Sequence, residues 1–226
     1  MSLSTTADKR QADVPARPAE IVREYGPFAG SSKVGGVSHD GRNVWAALGP
    51  TLIAFDPATG ETKRTIDHAA DAGTAFDGKH LWQISEARID KIDPATGAVL
   101  ASIPAPGGSG SGLAWAEGSL WIGQYRDKQI KQLDPATGKV LRTIESNRFV
   151  TGVTWVDGEL WHATWEGDES ELRHIDPQSG AVLERLEMPR GVNISGLESD
   201  GADLFYCGGG GTGKVRAVRR PKSARA

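Results

Sequence analysis

The chain has 226 residues, 38% hydrophobic and 24% charged, which calls for a packed domain and excludes disorder as its general state. Lys plus Arg number 26 against 29 Asp plus Glu, so a formal net charge of −3 offers no field for nucleic acid or an anionic membrane. A lone cysteine, Cys207, excludes an intrachain disulfide framework.

From the N-terminus, residues 1–18 are polar and read as a disordered segment. Met1 to Ala19 has no apolar stretch of the kind a secretory signal needs, and no later run could span a bilayer. The expectation is a cytoplasmic chain. Residues 19–220 read as one domain and 221–226 as a disordered tail.

Within the domain one phrase recurs. It is Asp56-Pro57-Ala58-Thr59-Gly60, then Asp93 to Gly97, then Asp134 to Gly138, with a looser copy at Asp176-Pro177-Gln178-Ser179-Gly180. The spacing of about 40 residues is that of one four-stranded propeller blade per repeat. Asp opens the turn by accepting backbone N–H groups, Pro fixes φ, and Gly supplies the left-handed residue that returns the chain. A second signature lies upstream of each turn. It reads Asp40-Gly41 before Trp45, Asp77-Gly78 before Trp82, Glu117-Gly118 before Trp121, Asp157-Gly158 before Trp161, and Asp200-Gly201 before Phe205. Five units follow, and the fifth ends after its third strand, near Lys214 to Val218.

The missing strand is available at the other terminus, where Ile21-Val22-Arg23-Glu24-Tyr25 resembles Val140-Leu141-Arg142-Thr143-Ile144. The sequence therefore predicts an all-β, five-bladed β-propeller with four antiparallel strands per blade, its ring closed by residues about 20–26. Closure would also cover an edge that otherwise invites aggregation. Trp45, Trp82, Trp121, Trp161 and Phe205 read as one repeated packing position between blades. The basic run from Arg216 to Lys222 reads as solvated charge.

Strand direction puts the Asp-Gly and Asp-Pro turns on one face. The connections between blades and the loops between second and third strands fall on the other. Those loops differ in every unit, and variety on a rigid scaffold is where binding usually sits. Lys33, Arg88, Tyr125, Arg126, Arg148 and Trp165 are the candidate ligand contacts at that mouth, and Trp165 stands outside the repeated tryptophan position. Two residues break the repeat in another way. The position two after each inner-strand glycine reads Ser38, Ala75, Ala114, Thr154 and then Glu198, a carboxylate that must be hydrated, paired or hydrogen-bonded. His162 is the only histidine at its place in the repeat. Both are candidate acid or base groups.

Gly208 to Lys214 looks like a phosphate-binding loop, but Val215 follows the lysine and the context is a β-hairpin. No metal-ligand spacing appears among the five histidines. No cofactor and no metal are expected.

The unit of Asp-Gly-x-Leu-Trp followed by Asp-Pro-Ala-Thr-Gly-x-Val resembles bacterial propellers of the plant-type glutaminyl cyclase-like and streptogramin B lyase-like groups, from Ala19 to about Arg220. Gly152 to Trp161 resembles the cyclase-like sequences closely. The cyclase resemblance implies five blades, and a proton-shuttling glutamate immediately before an inner-strand glycine. The matching positions here are Gly35, Ala72, Ser111, Thr151 and Ser195, none acidic. The function expected is a monomeric propeller binding a small molecule or peptide at the channel mouth. The alternatives are a transferase or lyase of these groups acting at the same mouth, and a protein-interaction scaffold.

Overall fold

A computed structural model describes residues 14–222. Residues 1–13 and 223–226, which hold most of the expected disordered N-terminal segment and the end of the expected tail, lie outside the described residues. Two short strands come first, β1 (Ala16–Pro18) and β2 (Ile21–Tyr25). The first blade is β3 (Gly36–His39), β4 (Val44–Ala47), β5 (Gly49–Phe55) and β6 (Thr62–Ala70). The second is β7 (Thr74–Phe76), β8 (Leu81–Ser85), β9 (Arg88–Ile92) and β10 (Val99–Pro104). The third is β11 (Leu113–Ala116), β12 (Ser119–Gln124), β13 (Gln129–Leu133) and β14 (Val140–Glu145). The fourth is β15 (Val150–Val156), β16 (Glu159–Glu166), β17 (Glu169–Ile175) and β18 (Val182–Glu187). The fifth has three strands in sequence, β19 (Gly196–Ser199), β20 (Leu204–Gly208) and β21 (Val215–Arg219), and takes β2 as its fourth. Five blades of four antiparallel strands make the ring.

Closure is antiparallel, with Ile21 opposite Val218 and Tyr25 opposite Val215. Tyr25 is buried against Phe55 of the first blade, ring centroids 4.8 Å apart, and its hydroxyl donates to the Pro57 carbonyl at 2.9 Å. Arg23 donates to the carbonyls of Pro57 (3.1 Å) and Ala58 (2.7 Å). The same device recurs one blade on, where Arg64 reaches the Ala95 carbonyl at 2.5 Å. An outer-strand arginine thus caps the Asp-Pro turn of the next blade.

One strand precedes residue 19. β1 pairs parallel with β18, Ala16 opposite Arg185, and the Arg185 guanidinium donates to the Val14 carbonyl at 3.0 and 3.2 Å. The fourth blade therefore has five strands. The basic run is not simply solvated either. Arg216 pairs with Glu24 at 2.7 Å and Arg220 with Asp157 at 2.7 Å, and both arginines are buried. Charge buried at those sites needs a partner, and each has one.

The Asp-Gly signature contains two kinds of turn. In the third and fourth blades it is a two-residue hairpin with both residues left-handed (Glu117 φ 51° and Gly118 φ 72°; Asp157 φ 53° and Gly158 φ 76°), as type I′ requires. In the first two blades the loop is longer, and the aspartate also accepts the indole N–H of the following tryptophan. Asp40 takes it from Trp45 at 2.8 Å and Asp77 from Trp82 at 2.9 Å. The fifth loop is longer still, which shifts the repeat by one residue. Glu198 pairs across the hairpin with Tyr206, as Thr154 pairs with Trp161 and Ser38 with Trp45. Tyr206, not Phe205, is the fifth member of the packing set. Phe205 instead packs back on Trp161, centroids 5.0 Å apart.

Trp121 is fully buried, whereas Trp165 is partly exposed with its indole N–H on the Gly167 carbonyl at 2.9 Å. Trp121→Ala should lower unfolding free energy by about 3–5 kcal/mol, as truncated buried aromatics do. Trp165→Ala should cost well under that. Chemical denaturation of the two variants measures the contrast, and a reversed order would mean the two roles are exchanged.

Candidate functional site

The inner strands β3, β7, β11, β15 and β19 run from the variable-loop face toward the Asp-Gly turns. Near the start of each lies a glycine: Gly36, Gly73, Gly112, Gly152 and Gly196. These five stand in a ring, each against the backbone of the next. A Cβ on Gly112 would sit 2.7 Å from Gly152 Cα, one on Gly152 2.5 Å from Leu197 N, and one on Gly196 2.8 Å from Gly36 Cα. At this level the inner strands pack backbone against backbone around the axis. The ring lies between the variable-loop mouth and the turn-side mouth of the propeller.

On the variable-loop side, the short helical turn at Pro106–Gly108 and the hairpin after β12 enclose a cleft of about 540 Å³. Gly107, Ser109 and Gly110 form one wall, and Gln124, Tyr125, Arg126 and Asp127 form the other. Gln124 ties the walls together by donating to the Ser109 carbonyl at 2.7 Å. Tyr125 keeps 38% of its surface exposed, with its ring stacked on Phe149 at 4.7 Å and its hydroxyl 3.5 Å from the Trp165 carbonyl. Lys128 lies over the other aromatic of that pair, Phe149, at 4.5 Å. Arg148 is clamped to Glu166 at 2.5 Å, and Glu166 also accepts the Phe149 N–H at 3.1 Å.

Of the candidate ligand contacts, Tyr125 and Arg126 line the cleft. Arg148 and Trp165 stand beside it, joined to it through Phe149, Glu166 and Tyr125. Arg88 is held elsewhere, its Nε on both oxygens of buried Asp90 at 3.0 Å. Ser102 donates to the same carboxylate at 2.5 Å, and His68 Nε2 lies 3.1 Å from it. Lys33 is exposed at the junction of the fifth and first blades, next to the bridge between Val34 and Gly210. The cleft also uses Gln124 and Asp127, and leans on Phe149, which the repeat pattern gave no reason to single out. Phe149 was marked only by being an aromatic in a connection between blades.

The two candidate acid–base residues lie away from this cleft. His162 is buried between blades, opposite Arg173, with Nδ1 3.3 Å from the Ala163 carbonyl. Burial, reinforced by the Arg173 charge, pushes its pKa down to about 3, so the imidazole is neutral at physiological pH. Glu198 lies two residues past Gly196, beyond the glycine ring on the turn side. Protein surrounds it, yet part of its surface remains exposed. Thr154 Oγ1 donates to it at 2.5 Å, the Ser199 N–H at 2.9 Å and Ser38 Oγ at 3.4 Å. These partners are neutral. Desolvation therefore outweighs them and pushes the Glu198 pKa up to about 7.

The raised value has a thermodynamic sign. Below about pH 4.5 the carboxyl is neutral in both folded and unfolded chains. Between 4.5 and 7 the unfolded chain ionises first, so stability falls as pH rises, by at most on the order of 3 kcal/mol. Glu198→Gln should melt higher than the wild type at pH 8 and at the same temperature at pH 4. Thermal melts across this range check it, and a variant less stable at pH 8 would contradict it.

Among the described residues no group of three or more His, Cys, Asp or Glu side chains is placed to hold a metal ion, and no helix is long and apolar enough to cross a membrane.

The fold is a five-bladed propeller with a cleft on its variable-loop face. No family model and no curated protein matches the sequence. Among solved structures, the glutaminyl cyclase of Myxococcus xanthus is similar, with a TM-score of 0.74 at 16% identity over 92% of this chain and 98% of that one. The β-propeller domain of Cps50 (Swd1) from Myceliophteria thermophila is similar at a TM-score of 0.57 and 10% identity, covering 90% of this chain and all of that domain. At these identities the likeness is one of fold.

Proposed function

We propose that this chain is a ligand-binding propeller that takes a small molecule or short peptide into the cleft between Gly107–Gly110 and Gln124–Asp127. The observation carrying this reading is the cleft itself. Its volume of about 540 Å³ falls within the roughly 300–1,000 Å³ usual for ligand pockets. Its lining suits an amphipathic guest. The exposed Tyr125 ring, braced from behind by Phe149, offers an apolar surface at little entropic cost. Arg126 and Asp127 supply charges of both signs, and the glycine wall lets a guest approach the backbone.

A screen of peptides and metabolites by thermal shift, followed by calorimetry on each hit, tests the reading. A ligand at a hundred times its dissociation constant adds about 2.7 kcal/mol to stability. Hits should weaken at least tenfold in Tyr125→Ala and Arg126→Ala, whose melting points stay near the wild type's. Hits that bind both variants undiminished would overturn the assignment.

The likeness to glutaminyl cyclase motivates a catalytic alternative at the same face. Against it, the five positions preceding the ring glycines are Gly35, Ala72, Ser111, Thr151 and Ser195, which carry no carboxylate to move a proton. Incubation with peptides bearing N-terminal glutamine is expected to leave them unchanged, as followed by mass spectrometry.

A further inference from the structure

The turn-side mouth lies beyond the ring of glycines, on the face opposite the cleft. Its innermost group is the partly exposed Glu198 carboxyl, held by Thr154, Ser38 and the Ser199 N–H. One residue further along four of the inner strands come His39, Phe76, Trp115 and Trp155, all half-buried. Each side chain leans on the preceding blade. Trp115 stacks on Trp82 at 6.0 Å, Trp155 on Trp121 at 5.4 Å, and His39 lies 5.7 Å from Tyr206. The outer members of two of these stacks already attract cations. Lys91 lies 5.1 Å over Trp82, and Arg142 lies 5.0 Å over Trp121.

We propose that the turn-side mouth binds an organic ammonium ion, its charged head on Glu198 and its apolar substituent against the aromatic residues at the end of the inner strands. A carboxylate satisfied by neutral donors alone carries uncompensated charge, and a cation is the partner that relieves it. Trp155 and His39 each follow a residue that donates to Glu198, and aromatic faces at the end of these strands attract the same cation and bury its hydrocarbon. The nearby ionisable groups do not supply a competing positive charge. Burial lowers the pKa of His39, in spite of Asp40 and Asp200 beside it, so it stays neutral at pH 7. Lys91 is engaged by Asp77 at 3.5 Å, and Arg220 by Asp157. Because Glu198 is partly protonated near neutrality, a bound ammonium ion displaces its proton.

Calorimetric titration with benzylammonium chloride tests this, at pH 6 and pH 8.5 and in two buffers of different ionisation enthalpy. Expected is saturable binding to the wild type with release of a fraction of a proton at pH 6 and almost none at pH 8.5. Affinity should fall at least tenfold in Glu198→Gln and several-fold in Trp155→Leu, the second variant standing in if the first proves poorly folded. Tyr125→Ala should bind within twofold of wild type, which keeps this site distinct from the variable-face cleft. Absence of binding, equal binding of benzyl alcohol, unchanged affinity in a folded Glu198→Gln, or loss in Tyr125→Ala would each overturn the proposal.

Discussion

Deletion of residues 1–25 is expected to abolish cooperative thermal unfolding, whereas deletion of residues 1–18 lowers the midpoint only modestly. The longer deletion removes β2, and with it the backbone ladder to β21, the buried Tyr25 ring and the Arg23 cap on the Pro57 and Ala58 carbonyls. Tyr25→Ala alone should cost about 3–5 kcal/mol, a shift of roughly 10 °C in a chain of this size. The rest of the strand adds enough to approach the whole stability of a typical domain, about 5–15 kcal/mol. The shorter deletion removes β1, whose three-residue parallel pairing and Arg185 contact lie on the outside of the fourth blade. Calorimetric scans of the two truncations measure the difference. Equal midpoints would sink ring closure by β2.

Gly112→Ala is expected to be nearly as damaging, although it adds a single methyl group. The new Cβ would lie 2.6 Å from Val153 N and 2.7 Å from Gly152 Cα, and both atoms are backbone that no rotamer change can move. Relief requires two blades to separate at the axis, where each blade is already held by its neighbours. Overpacking typically costs about 1–3 kcal/mol where side chains can give way, so a loss above that range is expected here. Gly118→Ala is the matched control. It lies in a left-handed turn at φ 72° with nothing within 4 Å, and should cost only about 1–2 kcal/mol. If Gly112→Ala melts no lower than Gly118→Ala, the axis is looser than these distances imply.

Blade number and closure were legible because the Asp-Pro and Asp-Gly turns recur at fixed spacing, and because Ile21–Tyr25 reads like an outer strand. Register was less legible. Counting from Asp200 reaches Phe205, but the fifth loop holds an extra residue, and only cross-strand pairing identifies Tyr206 as the equivalent of Trp161. β1 escaped notice because a three-residue edge strand, one residue of it proline, has no periodicity to detect. Glu198 was recognisable as an exception to its repeat position, yet its face was not. That depends on how five glycine backbones pack around the axis, a long-range fact that no single repeat contains. The cleft had partial signals in Tyr125 and Arg126. Its other wall, a glycine-rich connection, has no side-chain chemistry to read.

The pairing of β2 with β21 also sets an order of events during synthesis. Ile21–Tyr25 leaves the ribosome early, while its partner Val215–Arg219 is translated almost 200 residues later. Until then Tyr25 has no sheet to join, and the first four blades form an open arc with two unsealed ends. Contacts this remote in sequence close slowly, since the loop entropy must be lost before the ladder compensates for it. The seam between the last blade and the first is therefore expected to form last as the chain is made, leaving the nascent arc exposed to edge-to-edge association while synthesis continues.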